Sequence, residues 1–143
     1  MSPRDVIIIG AGPAGLAAAI AAKQYGLDYT VLEKGMLVNS LYHFPTHMVF
    51  FTTPELLEIG GLPFVTPYEK PTRLESLRYY RRVADTYELA VELGESVTAV
   101  QPPQTGRTET FTVKTQSGDG RARELESRTV VLAIGCYDHP NLL

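Results

Sequence analysis

The sequence predicts an α/β fold in which a parallel sheet is extended by a three-stranded antiparallel meander. Continuous β-branched runs, "DVIII" near the start and "TVVLAI" near the end, are typical of parallel strands buried on both faces. Three intervening stretches alternate apolar and polar residues, as antiparallel strands with one solvated face do. An Ala-rich helical pattern lies between the first two strands and completes a strand–helix–strand unit of about 30 residues.

Length and composition favour one globular domain. The chain has 143 residues, a hydrophobic fraction of 44% and a net charge of −3, which give no electrostatic case for binding nucleic acid or an anionic membrane. The sequence contains neither an apolar run long enough to span a membrane nor a signal-peptide cleavage region. Its one cysteine, Cys136, cannot form an intramolecular disulfide, so we expect a soluble cytoplasmic protein.

The first elements follow directly from this pattern. A strand over 5–9 leads into "GAGPAG", and the Ala-rich helix after it ends at Gly26, where a C′ glycine belongs. A second strand, "LDYTVLE", ends in Glu33. Residues 35–71 carry several prolines and aromatic residues and lack a regular period, which is typical of a binding loop.

A helix and the remaining strands complete the order. The capping-box pattern "TRLE" predicts a helix over 73–87. Its apolar face is predicted to carry Leu74, Leu77, Tyr80, Ala84 and Tyr87. After it come predicted strands at 89–93, 96–100, 109–115, 122–128 and 129–134, of which the second to fourth form the meander.

The glycine-rich turn carries the strongest functional signal. Gly10, Gly12 and Gly15 match G-x-G-x-x-G after a strand and before a helix, the context of a Rossmann-like dinucleotide-binding fold. In that motif the glycines allow a tight turn, the approach of a pyrophosphate and close helix–strand packing, while the helix N-terminus attracts the anion. Glu33 stands where a carboxylate binds ribose hydroxyls. The alternative is a tight turn beside a surface acid. The motif alone does not separate FAD from NAD.

Read as a whole, the chain resembles flavin-dependent pyridine-nucleotide disulfide reductases of the thioredoxin-reductase type. The similar segments are "VIIIGAGPAGLAAAIAAKQYGLDYTVLEKG" and the meander followed by "TVVLAIG". Within that family, "EKGMLVNSLYHFPTHMVFFTTPELLEIGGLPF", "KPTRLESLRYYRRV" and "IGCYDHPN" resemble the bacillithiol-disulfide reductases. The resemblance implies an FAD domain, an NADPH domain, hydride transfer from NADPH to FAD, and a disulfide or other small molecule as acceptor. It also implies that family members commonly form homodimers.

The same resemblance implies a set of cofactor-binding residues. In chain order they are Gly10, Gly12, Pro13, Ala14, Gly15, Glu33, Lys34, Asn39, Ser40, Thr46, His47, Val97, Ala133, Ile134 and Gly135. Glu33, with Lys34 beside it, would hold the adenosine ribose, and Val97 would meet the adenine through its backbone. Thr46 and His47 would lie near the isoalloxazine ring.

The sequence departs from the family in its cysteines. It has no Cys-x-x-Cys pair, and Ala14 stands where many bacillithiol-disulfide reductases have a Cys after the Pro of the glycine loop. No second G-x-G-x-x-G is present. We therefore expect residues 1–143 to be the N-terminal part of an FAD domain, without the NADPH domain or the last FAD segment, and expect this piece alone to be inactive. A flavin monooxygenase-like protein and a stand-alone dinucleotide-binding module remain the alternatives.

Other conspicuous residues have plainer interpretations. Cys136 follows a strand end with no activating neighbour, so a buried, unreactive thiol is expected. The three histidines lack the spacing of a metal site, and His47 is only a weak candidate for a catalytic acid. Tyr79 and Tyr80 are expected in the core rather than on a nucleic-acid surface. The segments "VFF" and "LPF" would contact either a partner or further domains.

Overall fold

A computed structural model describes residues 2–104, 106 and 109–139 of the chain. Its helices and strands follow one another in the predicted β-α-β order. They are β1 (Arg4–Ile9), α1 (Pro13–Gln24), β2 (Tyr29–Glu33), α2 (Asn39–Tyr42), a 3-10 turn (Pro54–Leu56), α3 (Arg73–Thr86), β3 (Val91–Leu93), β4 (Glu95–Gln101), β5 (Phe111–Ser117) and β6 (Ala122–Leu132).

The described strands form one six-stranded sheet in the order β3-β2-β1-β6-β5-β4. Strand β1 pairs in parallel with β2 and β6, and β2 pairs in parallel with β3. Strands β4, β5 and β6 pair in antiparallel fashion, which confirms the meander. The second half of β1 is apolar because both faces of this part of the sheet are covered: Ile7 and Ile8 point to opposite faces and are both fully buried.

Strand β6 corrects the sequence analysis, which separated 122–128 from 129–134. The structure has one strand, Ala122–Leu132. Its first half pairs in antiparallel fashion with β5, where Leu125 lies opposite Val113, and its second half pairs in parallel with β1, where Val130 lies opposite Ile7. The neighbouring strand changes near Ser127 from β5 to β1, whereas the direction of the chain does not change.

The two faces of the sheet have separate cores. Helices α1 and α3 cover one face, and their buried side chains form a cluster with Ile8 and Val31. On the other face Ile7, Ile9, Leu32 and Val113 pack against apolar residues of the meander, including Val97. The meander is therefore the cover of the second face, which helices provide in a doubly wound fold.

Helix α3 begins at the predicted capping box. The Thr72 hydroxyl accepts a hydrogen bond from the Glu75 amide at 3.2 Å, and the Glu75 carboxylate accepts one from the Thr72 amide at 2.8 Å. The backbone around Thr72 also pairs with Val49, which ties the long loop to the start of the helix.

The buried face of α3 agrees with the predicted one at Tyr80, Leu77 and Tyr87, which belong to or pack against the core, and differs at Leu74. Leu74 is half exposed, whereas Ser76, Tyr79, Tyr80 and Val83 are buried. The loop 57–62 accepts hydrogen bonds from both tyrosines: the Tyr79 hydroxyl donates to the carbonyl oxygen of Leu62 at 2.7 Å, and the Tyr80 hydroxyl to that of Leu57 at 2.8 Å. These bonds satisfy the two tyrosine hydroxyls inside the core, whereas Leu74 lies toward the exposed side of the first turn of α3.

None of the helices in the described part of the chain is long and apolar enough to cross a membrane.

Candidate functional site

The glycine-rich turn joins β1 to α1 at the carboxyl edge of the parallel strands. Gly10 has a φ of +106°, and a Cβ placed on it would lie 2.3 Å from the carbonyl oxygen of Ala133. A Cβ on Gly15 would lie 1.8 Å from the carbonyl oxygen of Gly10. Only glycine fits at either position, because the turn is packed directly against the end of β6 and against the first turn of α1.

Gly12 lies in open space. No atom lies within 4 Å of a Cβ built on Gly12, and its φ of −75° is available to any residue. The fold itself therefore does not require glycine at this position. Gly12 is the N-cap of α1, has no side chain to cap the helix, and is followed by Pro13 at the first helical position. The N–H groups and the positive dipole end of a twelve-residue helix therefore face an open surface that suits a phosphate group.

Glu33 closes the side of this turn at the end of β2. Its side chain is 6% exposed, and its two oxygens accept hydrogen bonds from the amides of Ala11 and Gly35, each at 2.8 Å. An ionised carboxylate offers about four acceptor positions. Glu33 therefore holds the glycine loop in place and still has lone pairs available for a hydroxyl donor.

A groove of about 330 Å³ lies beside Glu33. It is lined by residues that follow β2 and by residues that follow β6, namely Lys34, Asn39, Ser40, His43, Phe44, Tyr137 and Asp138. Lys34 forms an ion pair with Asp138, and the rings of Phe44 and Tyr137 meet edge to face with centroids 5.1 Å apart. The hydrogen bond from Lys34 is the main reason that the pKa of Asp138 lies below its ordinary value.

Apart from the glycine turn and Glu33, the implied cofactor residues fall into two groups in the structure. Lys34, Asn39 and Ser40 line the groove, and Ala133 contacts the glycine turn and donates its amide to the Ile9 carbonyl oxygen at 2.8 Å. The others lie outside the groove lining: Thr46, His47, Ile134 and Gly135 are exposed, and Val97 packs against the core beneath the meander.

The expectation of a buried Cys136 is wrong, because the structure exposes this residue. Strand β6 ends at Leu132, so Cys136 lies past the point where the sheet shields the chain. Tyr80 lies in the core as expected, and Tyr79, which is outside the predicted apolar face, is buried beside it. Within the described residues no group of three or more His, Cys, Asp and Glu side chains is arranged to hold a metal ion.

Sequence reasoning missed the residues that complete the groove from the far end of the chain. Tyr137 and Asp138 are separated from Lys34 by about a hundred positions, so no local period could associate them. It also missed a second groove of about 350 Å³ near the start of α3, which is lined by Thr53, Pro54, Glu55, Glu58, Phe64, Val65, Thr66, Tyr68 and Glu69.

Comparison with known proteins gives a consistent result. Residues 7–143 match the family model described as pyridine nucleotide-disulphide oxidoreductase. The chain is 41% identical to bacilliredoxin reductase Bdr of Bacillus subtilis over 143 residues, which cover all of this chain and 42% of that protein. The structure of bacillithiol disulfide reductase Bdr from Bacillus cereus is 42% identical, with a TM-score of 0.92 over 99% of this chain and 43% of that one. A flavin-containing monooxygenase from Stenotrophomonas maltophilia is 27% identical, with a TM-score of 0.78 over 93% of this chain and 38% of that one. The chain therefore spans less than half the length of these relatives.

Proposed function

This chain belongs to the pyridine nucleotide-disulphide oxidoreductase family, and we propose that it is the FAD-binding part of an NADPH-dependent flavoprotein oxidoreductase. In the proposed reaction NADPH gives a hydride to FAD, and the reduced flavin passes two electrons to a disulfide or another small acceptor. The NADPH site and the last contacts to FAD would be supplied by parts of a longer protein outside these 143 residues. The relatives are longer than this chain, which agrees with that proposal.

The observation that carries the proposal is the combination of an open Gly12 and a buried Glu33 at one edge of the sheet. Open space above a glycine at a helix N-terminus suits a pyrophosphate, because its oxygens can approach the backbone N–H groups. A carboxylate beside that space, still able to accept hydrogen bonds, suits ribose hydroxyls and disfavours a 2′-phosphate. The residues present therefore fit an adenine dinucleotide.

By the same logic we assign roles to residues of the glycine turn and the adjacent groove. The glycine turn, with Pro13 and Ala14, would hold the pyrophosphate, and Glu33 the adenosine ribose. Lys34, Asn39 and Ser40 would border the cofactor in the adjacent groove. When bound, FAD supplies the two-electron chemistry. The work of the chain is to bind the cofactor on a rigid backbone, orient it, and shield one side of it from water.

The remaining contacts are assigned from the resemblance alone. Thr46 and His47 would lie near the flavin ring, the backbone of Val97 near the adenine, and the turn of Ala133, Ile134 and Gly135 along the adenosine. Neither Thr46 nor His47 lines the groove.

Ala14 bears on the choice of acceptor. It occupies the exposed first turn of α1, where many bacillithiol-disulfide reductases of the family have a cysteine. A mechanism that needs a thiol at that position is therefore closed to this chain. The absence of that thiol and the likeness to a flavin-containing monooxygenase favour a second candidate, an enzyme whose reduced flavin reacts with oxygen.

FAD binding is the first test of the proposal. The gene product should be purified from its source cells, its mass measured, and its cofactor identified after denaturation. We expect bound FAD, and a mass well above the 15.7 kDa of this chain. A gene product of 15.7 kDa that binds no flavin would overturn the proposal and leave a stand-alone module.

The acceptor is tested on the same preparation. NADPH oxidation that depends on an added disulfide, without consumption of oxygen, supports the reductase. Oxygen consumption in step with NADPH oxidation and with an added substrate supports the monooxygenase instead.

A further inference from the structure

Lys34 directly follows the ribose-binding candidate Glu33, yet its charge is already paired. Its ammonium group forms an ion pair with Asp138, which lies just after β6. The Ser40 hydroxyl lies 3.5 Å from the other carboxylate oxygen of Asp138. The Lys34 side chain is 52% exposed and that of Asp138 30% exposed, so the pair sits at the mouth of the groove within reach of a ligand.

Asp138 is the group that offsets the positive charge of Lys34. Both carboxylate oxygens of Glu33 face the backbone amides of Ala11 and Gly35. Among the described residues Lys34 forms an ion pair with Asp138 alone. Asp138 is held in its ionised form, because hydrogen bonding from Lys34, and to a smaller extent the charges of Lys34 and His139, lower its pKa despite some burial.

This arrangement has a consequence for nucleotide choice. A cation next to the acid at the end of the second strand is where a dinucleotide fold accommodates a 2′-phosphate. An ammonium group whose charge is cancelled by a carboxylate offers no such attraction, and the carboxylate adds repulsion.

We propose that Asp138 is a specificity-determining residue, which neutralises Lys34 and so makes the site select adenosine with a free 2′-hydroxyl over adenosine with a 2′-phosphate. The inference rests on the proposed function, because it assumes that an adenine dinucleotide binds at the glycine turn. It adds a residue from the far end of the chain to the residues that read the ribose.

The test compares two ligands that differ only in the 2′-phosphate. Apoprotein is titrated calorimetrically with ADP-ribose and with 2′-phospho-ADP-ribose, in the parent and in an Asp138→Asn variant. Only binding that FAD competes away is counted, because the proposed NADPH site of the longer protein would also bind the phosphorylated ligand. In the parent we expect ADP-ribose to bind more tightly. In Asp138→Asn the preference should shift toward the phosphorylated ligand by about fivefold, the size expected for one exposed pair of charges. This shift should shrink at high salt.

Three control variants separate the proposal from a general change in charge. Asp119→Asn removes an exposed aspartate that pairs with Arg121 in the turn between β5 and β6, and it should leave the preference unchanged. Lys34→Gln combined with Asp138→Asn should abolish the shift. Lys34→Gln alone leaves the Asp138 carboxylate unpaired, so it should shift the preference in the opposite direction, further toward ADP-ribose.

The outcomes distinguish this inference from the proposed function. A parent that is folded by circular dichroism but binds neither ligand would refute the dinucleotide site, and the inference with it. Normal binding of ADP-ribose with an unchanged preference in Asp138→Asn would refute the inference alone. A shift of the same size in the Lys34→Gln, Asp138→Asn double variant would do the same, because an unpaired Lys34 could not then be its cause.

Discussion

Gly12 and Gly15 lie three residues apart in the glycine turn, yet the structure predicts opposite consequences when alanine replaces each of them. A methyl group at Gly15 would lie 1.8 Å from the Gly10 carbonyl oxygen, so α1 or the turn must retreat by more than an ångström. Overpacking of this kind costs about 1–3 kcal/mol, and contact with backbone rather than with a flexible side chain places Gly15→Ala near the upper end. The reduced entropy of the unfolded chain returns only about 0.4–1 kcal/mol.

Gly12→Ala should instead spare the fold and impair the site. The backbone of Gly12 suits alanine, and no atom lies within 4 Å of the added methyl group. The poorer N-cap and the lower unfolded-state entropy nearly cancel, so the free energy of unfolding should change by less than about 1 kcal/mol. FAD affinity should fall by about tenfold or more, because the methyl group occupies the approach of the pyrophosphate to the helix N-terminus.

Urea denaturation followed by circular dichroism, together with FAD titration of each variant, measures both effects. With a denaturant dependence of about 1–3 kcal/mol per molar urea, the Gly15→Ala midpoint should drop by roughly 1 M or more. Gly118→Ala is a matched control, because Gly118 is also unobstructed but lies in the turn between β5 and β6. A stable Gly15→Ala would refute the packing argument. Gly12→Ala with parental FAD affinity would refute the site.

Three further predictions test other parts of the structure. Glu33→Gln replaces an acceptor of two amide hydrogen bonds by a side chain that presents a donor to one of them. We expect the free energy of unfolding, measured by urea denaturation, to fall by about 1–3 kcal/mol and FAD binding to weaken. No change in either would contradict the assignment. Thr72→Ala removes the side-chain half of the capping box of α3 and should cost about 1 kcal/mol, whereas an unchanged denaturation midpoint would show that the box contributes nothing. Burial raises the pKa of Tyr80 from 10.0 to about 12, so the contribution of the neutral Tyr80 side chain to stability is complete below pH 10 and is lost as the pH rises toward 12. Ultraviolet titration should show a late tyrosine step that is missing in Tyr80→Phe. An identical titration of the parent and this variant would refute the prediction.

The parts of the fold that the sequence predicted are those set by neighbouring residues. The β1–turn–α1–β2 unit follows from a β-branched run, glycines at fixed spacing and an Ala-rich helix, and each of these acts within a few positions. The start of α3 was predictable for the same reason, because Thr72 and Glu75 satisfy each other's backbone groups.

The errors concern residues whose environment is set by distant segments. Leu74 has the helical spacing of a core residue but is half exposed, whereas Tyr79 is buried and bonded to the distant loop 57–62. Cysteine is a residue type that is often buried, but Cys136 is exposed because it lies beyond the end of β6. The division of β6 into two strands came from reading a change of neighbouring strand, from β5 to β1, as a change of element.

The candidate site divides along the same line. Its proposed phosphate-binding half consists of backbone, namely the glycine turn and the start of α1. Its other half consists of side chains, and Lys34 and Asp138 come together only because β6 returns beside β1. Side chains that follow the strands can change without disturbing the backbone cradle. A bacillithiol disulfide reductase and a flavin-containing monooxygenase can therefore share this architecture while differing in their reactions. In this chain, ligand choice should accordingly depend on the residues that follow β2 and β6 rather than on the glycine turn.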